Sequence, residues 1–149
     1  MYGDANFINQ VPLFSGLDEA QQASLQQKMG QTTLRRGETL FDEGDLGDRL
    51  YIVTEGKVKL GHTSNDGRES LLAVLGPGEI LGELTLFDPG PRSTTATAVS
   101  PATLLHLQHT DLMEIVEANP TLAKDMLRAL AQRLRRTNES LSDLVFSDV

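Results

Sequence analysis

Cysteine is absent from the 149 residues. That excludes structural disulfides, Cys-ligated zinc, Cys-ligated iron–sulfur clusters and thiol redox sensing. Long hydrophobic runs are missing too: no stretch approaches the roughly 18 apolar residues of a membrane helix, and no basic-then-apolar leader opens the chain. The expectation is a soluble, cytoplasmic protein with no membrane partner. Positive charge is scarce, with 13 Lys and Arg against 21 Asp and Glu and a formal charge of −8. A surface of that sign repels nucleic-acid phosphates. The basic cluster "RALAQRLRRT", Arg128 to Thr137, reads as the solvated face of a helix. His62, His106 and His109 do not converge with carboxylates as a metal centre requires, and no Ser, His and acid set suggests a nucleophile. Neither a metal site nor an enzyme is expected.

What is present has three textures. "FINQVPLFSGLDEAQQASLQQKM" reads as one or two short helices, with Ser15 or Asp18 as caps and Leu17, Leu25 and Met29 as buried points. From Gln31 to about Leu107, short apolar runs such as "LYIV", "KVKL", "SLLAVL" and "TLLHL" alternate with Gly-bearing corners. Short strands at that spacing predict an antiparallel sandwich or barrel, with "SNDGRE" as its clearest hairpin. Beyond His106, "TDLMEIVEAN" predicts a short helix starting at Thr110. Asn119-Pro120 opens a second that runs without Pro or Gly to about Val145.

That second helix would extend about 39 Å. Its positions Ala123, Leu127, Leu130, Leu134, Thr137, Leu141 and Leu144 step alternately by four and three, which is the seam of a coiled-coil dimer. A helix lying on its own core gives a similar repeat; length favours the dimer. Thr137 is the polar member of the seam, so its hydroxyl sets register or serves a ligand.

The stretch "GELTLFDPGPRSTTATA", Gly82 to Ala98, places Glu83 and Arg92 around a sharply punctuated loop, with Leu81, Leu84, Leu86 and Phe87 supplying an apolar pocket side. Arg offers a rigid fork of donors that suits a phosphate. Ser93 and Thr94 add hydroxyls and backbone N–H groups, and Gly82 permits close approach. A carboxylate beside a phosphate is tolerable if it grips sugar hydroxyls, and one positive charge against one negative favours a singly charged diester over a terminal phosphate. Ribose and diester together describe a cyclic nucleotide. The alternative is an ordinary Glu83–Arg92 ion pair across a hairpin loop.

At these residues the chain resembles the cyclic-nucleotide-binding domain of the cAMP receptor protein (Crp/Fnr) family, closest to its actinobacterial cAMP-responsive members of the GlxR type. "LRRGETLFDEGDLGDRLYIVTEGKVKL" resembles the family's first strands, "GELTLFDPGPRS" its phosphate-binding cassette and "ALAQRLRRTNESLSDLVFSDV" its dimerisation helix. The resemblance implies a mainly β, jelly-roll or double-stranded β-helix sandwich over residues 1–118. A dimerisation helix would follow over 119–146, and residues 147–149 would begin a hinge to a helix-turn-helix DNA-binding domain outside this chain. It also implies cAMP as effector. Gly82 and Glu83, with Leu84, would meet the ribose side; Arg92 and Ser93, with Thr94, the cyclic phosphate; Thr137 the adenine edge; and Asn138 the nucleotide of the other subunit. DNA would be a partner only through that further domain, the chain being an excised segment or a stand-alone module. Sensing of haem or another small molecule on the same fold, or gating of a kinase or channel, are the other functions this fold could serve.

Overall fold

The computed structural model describes Phe14 and residues 17–147, with the side chains of Arg133, Thr137 and residues 140–147 outside that description. Ser15, one of the two expected caps, also lies outside the described residues. Asp18 is the cap: its carboxylate accepts from the Gln21 N–H at 2.8 Å, while Gln21 Oε1 accepts from the Asp18 N–H at 2.9 Å. This reciprocal pair satisfies two donors that a helix start leaves orphaned. It opens α1 (Glu19–Lys28), whose Leu25 is fully buried.

Ten strands follow: β1 (Gly30–Leu34), β2 (Thr39–Phe41), β3 (Leu46–Gly47), β4 (Arg49–Glu55), β5 (Val58–Thr63), β6 (Glu69–Leu75), β7 (Ile80–Leu81), β8 (Gly90–Pro91), β9 (Thr95–Ala98) and β10 (Ala102–Gln108). Between β7 and β8 lies a one-and-a-half-turn helix, α2 (Glu83–Phe87); after β10 come α3 (His109–Ala118) and α4 (Pro120–Ser147). The strands pair antiparallel into a four-stranded sheet β1-β10-β4-β7, a second β2-β9-β5-β6, and a short ribbon β3-β8. This is the mainly β antiparallel architecture with flanking helices that the sequence predicts. The β5–β6 hairpin turns at Gly67, which takes the left-handed φ of +84°.

Side-chain alternation along β4 and β10 builds two cores from one sheet. Tyr51, Val53, Ala102 and Leu104 face inward between the sheets, with Val58, Leu81, Ala96 and Ala98. Leu50, Ile52, Leu105 and Leu107 point the other way, onto Phe14, Leu25, Leu86, Leu112, Ile115, Leu122 and Met126 of the helical layer. "LYIV" is therefore a continuous apolar run because both faces of its strand are covered.

The last strand and the short helix differ from the expected boundary. Pairing with β4 carries β10 on to Gln108, and α3 starts at His109 rather than Thr110, with no side-chain cap from Gln108. The His109 ring nitrogen instead bonds the Leu86 carbonyl and its backbone N–H donates to the Asp48 carbonyl at 2.7 Å, fixing the turn from sheet to helix. Pro120 is the first residue of α4 as the sequence predicts, and its 28 residues span about 42 Å. Both readings of this helix find residues to support them. Leu122 and Met126 are buried in its own core and Leu130 packs against that core, whereas Leu127 and Leu134 are 66% and 62% exposed. Leu141 and Leu144 have side chains outside the described residues.

Gly56 and Gly67 separate two costs. Both have positive φ, but a Cβ at Gly56 would run into the Pro101 carbonyl, while none lies within 4 Å at Gly67. Gly67→Ala is expected to cost only the left-handed penalty, about 1–2 kcal/mol, and Gly56→Ala clearly more. Urea unfolding of the two variants checks this; equal costs would remove the packing argument.

Candidate functional site

The stretch from Gly82 to Ala98 is not a simple hairpin loop. Gly82, at φ +79°, caps α2, which Glu83 begins; the ribbon strand β8 then leads to Arg92. The short helix forms because Leu86 finds a fully buried place in the helical-layer core and Phe87 packs beside it. This corrects the expected pocket lining: Leu86 and Phe87 face the helices, whereas Leu81 and Leu84 line the cavity, Leu84 from an exposed rim position.

That cavity, about 360 Å³, is walled by Phe41, Leu60 and Ile80 together with Leu81, Gly82, Glu83, Leu84, Thr85, Pro91, Arg92, Ser93 and Thr94. Of the residues singled out from this stretch, Leu81, Gly82, Glu83, Leu84, Arg92, Ser93 and Thr94 therefore border one concavity. Glu83 is partly, not fully, buried. Asn138 is exposed on the last third of α4, and the Thr137 side chain lies outside the described residues. Asn138 is not among the described residues bordering the cavity.

Arg92 is the anomaly that organises the site: an arginine only 6% exposed. Its Nη1 donates to Thr85 Oγ1 at 2.8 Å and its Nη2 to the Arg49 carbonyl at 3.1 Å. Its charge sits 4.3 Å from the centroid of Phe41 and 5.7 Å from that of Tyr51, an arrangement in which the ring faces attract the cation. Burial lowers its pKa from the usual value, with Tyr51 and Asp48 opposing. A guanidinium nevertheless remains charged in proteins. Backbone bonds hold the position from both sides, the Arg92 N–H donating to the Asp45 carbonyl at 2.7 Å and the Arg92 carbonyl accepting from Gly44 at 2.8 Å.

Two glycines exist for this side chain. A Cβ at Gly82 would collide with Arg92 Nη1, and one at Gly47 with Arg92 Nε. The sequence suggested that Gly82 makes room for a ligand; the structure fills that room with the arginine. Phe41, Thr85, Gly47 and the Arg49 carbonyl were missed, since "DEGDLGD" reads only as a turn and Thr85 as one more helix residue. The closest signal was the repetition of Gly at positions 44 and 47, which a plain corner does not need.

The cyclic nucleotide-binding domain model matches residues 31–119, which contain the whole cavity and all of the strands but the first residue of β1. The chain belongs to the cyclic nucleotide-binding domain family. This domain is 42% identical over 92% of its length to the CRP-like cAMP-activated global transcriptional regulator of Mycobacterium tuberculosis, covering 61% of that protein. It is 38% identical, over 92% of its length, to the cyclic AMP receptor protein of Thermus thermophilus, covering 63% of it. It thus spans under two thirds of those relatives. The crystal structure of the N-terminal domain of a transcriptional regulator from Streptomyces coelicolor A3(2) superposes with a TM-score of 0.85 at 55% identity, over 91% of this chain and 94% of that one. The Mycobacterium tuberculosis relative and the Streptomyces coelicolor protein are transcriptional regulators by name. Among the described residues of this cyclic nucleotide-binding domain, no helix is long and apolar enough to cross a membrane and no cluster of His, Asp and Glu could hold a metal ion.

Behind the site, His106 bonds Thr32 Oγ1 at 2.9 Å and meets the Tyr51 ring edge-on. Burial and then the Arg49 charge lower its pKa, with Asp111 opposing. A folded-state pKa below the unfolded value of about 6.5 means that the unfolded chain takes up the proton first. Its contribution is fully present above pH ~6.5 and is lost as pH falls through the folded pKa. In urea unfolding from pH 7.5 to 4.5, His106→Gln should lose less stability than the parent; parallel curves would show that His106 is not desolvated.

Proposed function

We propose that this domain is a cAMP-binding, dimerising sensor of a Crp/Fnr-type transcription regulator, working in the cytoplasm. The observation that carries the reading is the buried, fixed charge of Arg92 at the wall of an open cavity. Both of its hydrogen-bond acceptors are neutral, so an anion entering the cavity gains a charge-assisted contact with a donor already in place. Ser93 and Thr94 flank it, and Glu83 sits on the same wall at the first residue of α2.

In this reading the cyclic phosphate bonds Arg92 and Ser93, with Thr94 beside them, and the ribose hydroxyl donates to Glu83 next to Gly82. Leu81 and Leu84 give the apolar sides. A diester carries one negative charge, which Arg92 balances; a terminal phosphate carries nearly two and meets Glu83 with a surplus. The adenine then reaches toward α4, with Thr137 on its edge and Asn138 serving the partner subunit's nucleotide. Leu127, Leu130, Leu134, Thr137, Leu141 and Leu144 form the parallel dimer seam, between the sensor body of residues 1–118 and a hinge that starts near 147. Ligand bridging the cassette to that seam repositions a DNA-binding domain outside this chain. The cAMP-activated regulator and the cyclic AMP receptor protein among the relatives favour adenine as the base.

Titration calorimetry with cAMP, cGMP and 5′-AMP tests the ligand. Arg92→Leu removes two charge-assisted contacts worth about 1.5–3 kcal/mol each, so affinity for cAMP should drop by about a hundredfold or more while the fold survives. An affinity within about threefold of the parent sinks the assignment. For the dimer, light scattering of the parent should give twice the chain mass and Leu134→Glu the chain mass alone; a monomeric parent at micromolar concentration removes that claim.

A further inference from the structure

Thr85 is 9% exposed, sits in the short helix α2 and has no part in the ligand contacts proposed above. Its hydroxyl is the pivot of a directed chain of hydrogen bonds. Arginine is a donor only, so in the 2.8 Å contact with Arg92 Nη1 the Thr85 oxygen must accept. A hydroxyl has a single hydrogen. It goes to the Gly82 carbonyl at 2.9 Å, with the Arg49 carbonyl at 3.2 Å as the longer choice. The order is therefore Arg92 to Thr85 to Gly82, with no freedom to reverse. Arg92 Nη2 closes the arrangement by donating to the Arg49 carbonyl at 3.1 Å.

Two consequences follow. A long, flexible side chain that would otherwise lose rotamer freedom on being fixed is already fixed before any anion arrives. These two bonds use two of its five N–H donors, which leaves donors for a ligand without breaking the tether. Helix α2 also begins with Glu83, two residues before Thr85. The tether therefore registers the guanidinium to the same rigid turn that carries the carboxylate, so the spacing between the two is set by one helix instead of by loop closure.

We propose that Thr85 is a positioning residue of the anion site, holding the Arg92 guanidinium in its ligand-ready orientation through the Thr85 hydroxyl. This rests on the cyclic-nucleotide reading above. Thr85 acts on the phosphate only through Arg92, and so its effect must vanish for a ligand without phosphate.

The test compares the parent, Thr85→Val and Thr85→Ser, each as the whole chain, with cAMP and with adenosine, by calorimetry and NMR shift titration. Thr85→Val, which keeps the shape and removes the hydroxyl, should weaken cAMP by about tenfold or more. Adenosine should be unaffected, and Thr85→Ser should restore cAMP to within about threefold of the parent. Equal losses for cAMP and adenosine, or an unchanged cAMP affinity in Thr85→Val, overturn the proposal, because Thr85 then merely shapes the cavity or does nothing. A parent that binds no cAMP overturns the ligand reading, and with it this proposal, and is recognised before any variant is made. Should Thr85→Val fail to melt cooperatively, the ligand-free parent decides. Resolved, slowly exchanging Arg92 Nη hydrogens support the tether, and averaged signals of a freely rotating guanidinium overturn it.

Discussion

A full positive charge held almost out of water, its hydrogen bonds made to uncharged oxygens, is the constraint around which this domain is arranged. Desolvating a guanidinium is costly unless its donors are satisfied, and the chain satisfies Arg92 with a hydroxyl, a carbonyl and an aromatic face. Each partner imposes something elsewhere. The carbonyl belongs to Arg49, the first residue of the central strand β4; the hydroxyl requires a helical turn where a plain loop would suffice; the ring fixes the end of β2. Gly47 and Gly82 complete the enclosure, because any side chain at either would occupy the arginine's own volume. The elements that look like decoration between strands are thus a socket.

The socket is not isolated from the helices. On α2, Thr85 turns toward Arg92 while Leu86 is buried among the residues beneath the sheet, next to Leu112, Leu122 and Met126. Phe87, at the end of the same turn, shares an apolar cavity of about 170 Å³ with Leu127 and Leu130 of α4. Five consecutive residues therefore touch the anion-facing charge at one end and the long helix at the other. A helix of this length has few internal hydrogen bonds to spare, and in the proposed coupling α2 would move as one turn between the cavity and α4. The proposed coupling between ligand and dimer seam requires an element that both can bias, and α2 is the one placed between them.

Much of the fold was legible because two-residue periodicity and Gly-bearing corners report strands directly, and residues Gln31 to Leu107 supply both. The cassette was legible because a lone Arg followed by Ser and Thr, opposite a lone Glu, is chemically conspicuous. What escaped depends on contacts distant in sequence. Nothing local marks Phe41 as the face under Arg92, which lies 51 positions away, or distinguishes Thr85 from an ordinary helical threonine. The reading of Leu86 and Phe87 as pocket residues failed for a related reason: apolar character says that a side chain is covered, and only the turn of α2 decides by which core. Similarly, α3 starts a residue before Thr110 because pairing with β4 dictates where β10 ends, overriding the capping preference.

The long helix makes the remaining argument by its geometry. At about 100° per residue, Leu122, Met126, Leu130, Ala123, Leu134 and Leu127 fall in that order around the axis, within an apolar arc of about 140°. The body of the domain covers the Leu122 edge completely and Leu130 in part, and leaves Leu134 and Leu127 in water. The exposed edge is thus a continuation of the buried one, not a second stripe on the far side. A partner helix laid along Leu127 and Leu134 would extend the existing core without creating a separate interface, sharing Leu130 and the cavity beside Phe87. In the proposed dimer, association and the packing of α2 are then one hydrophobic problem, because Phe87 and the seam residues Leu127 and Leu130 line the same cavity.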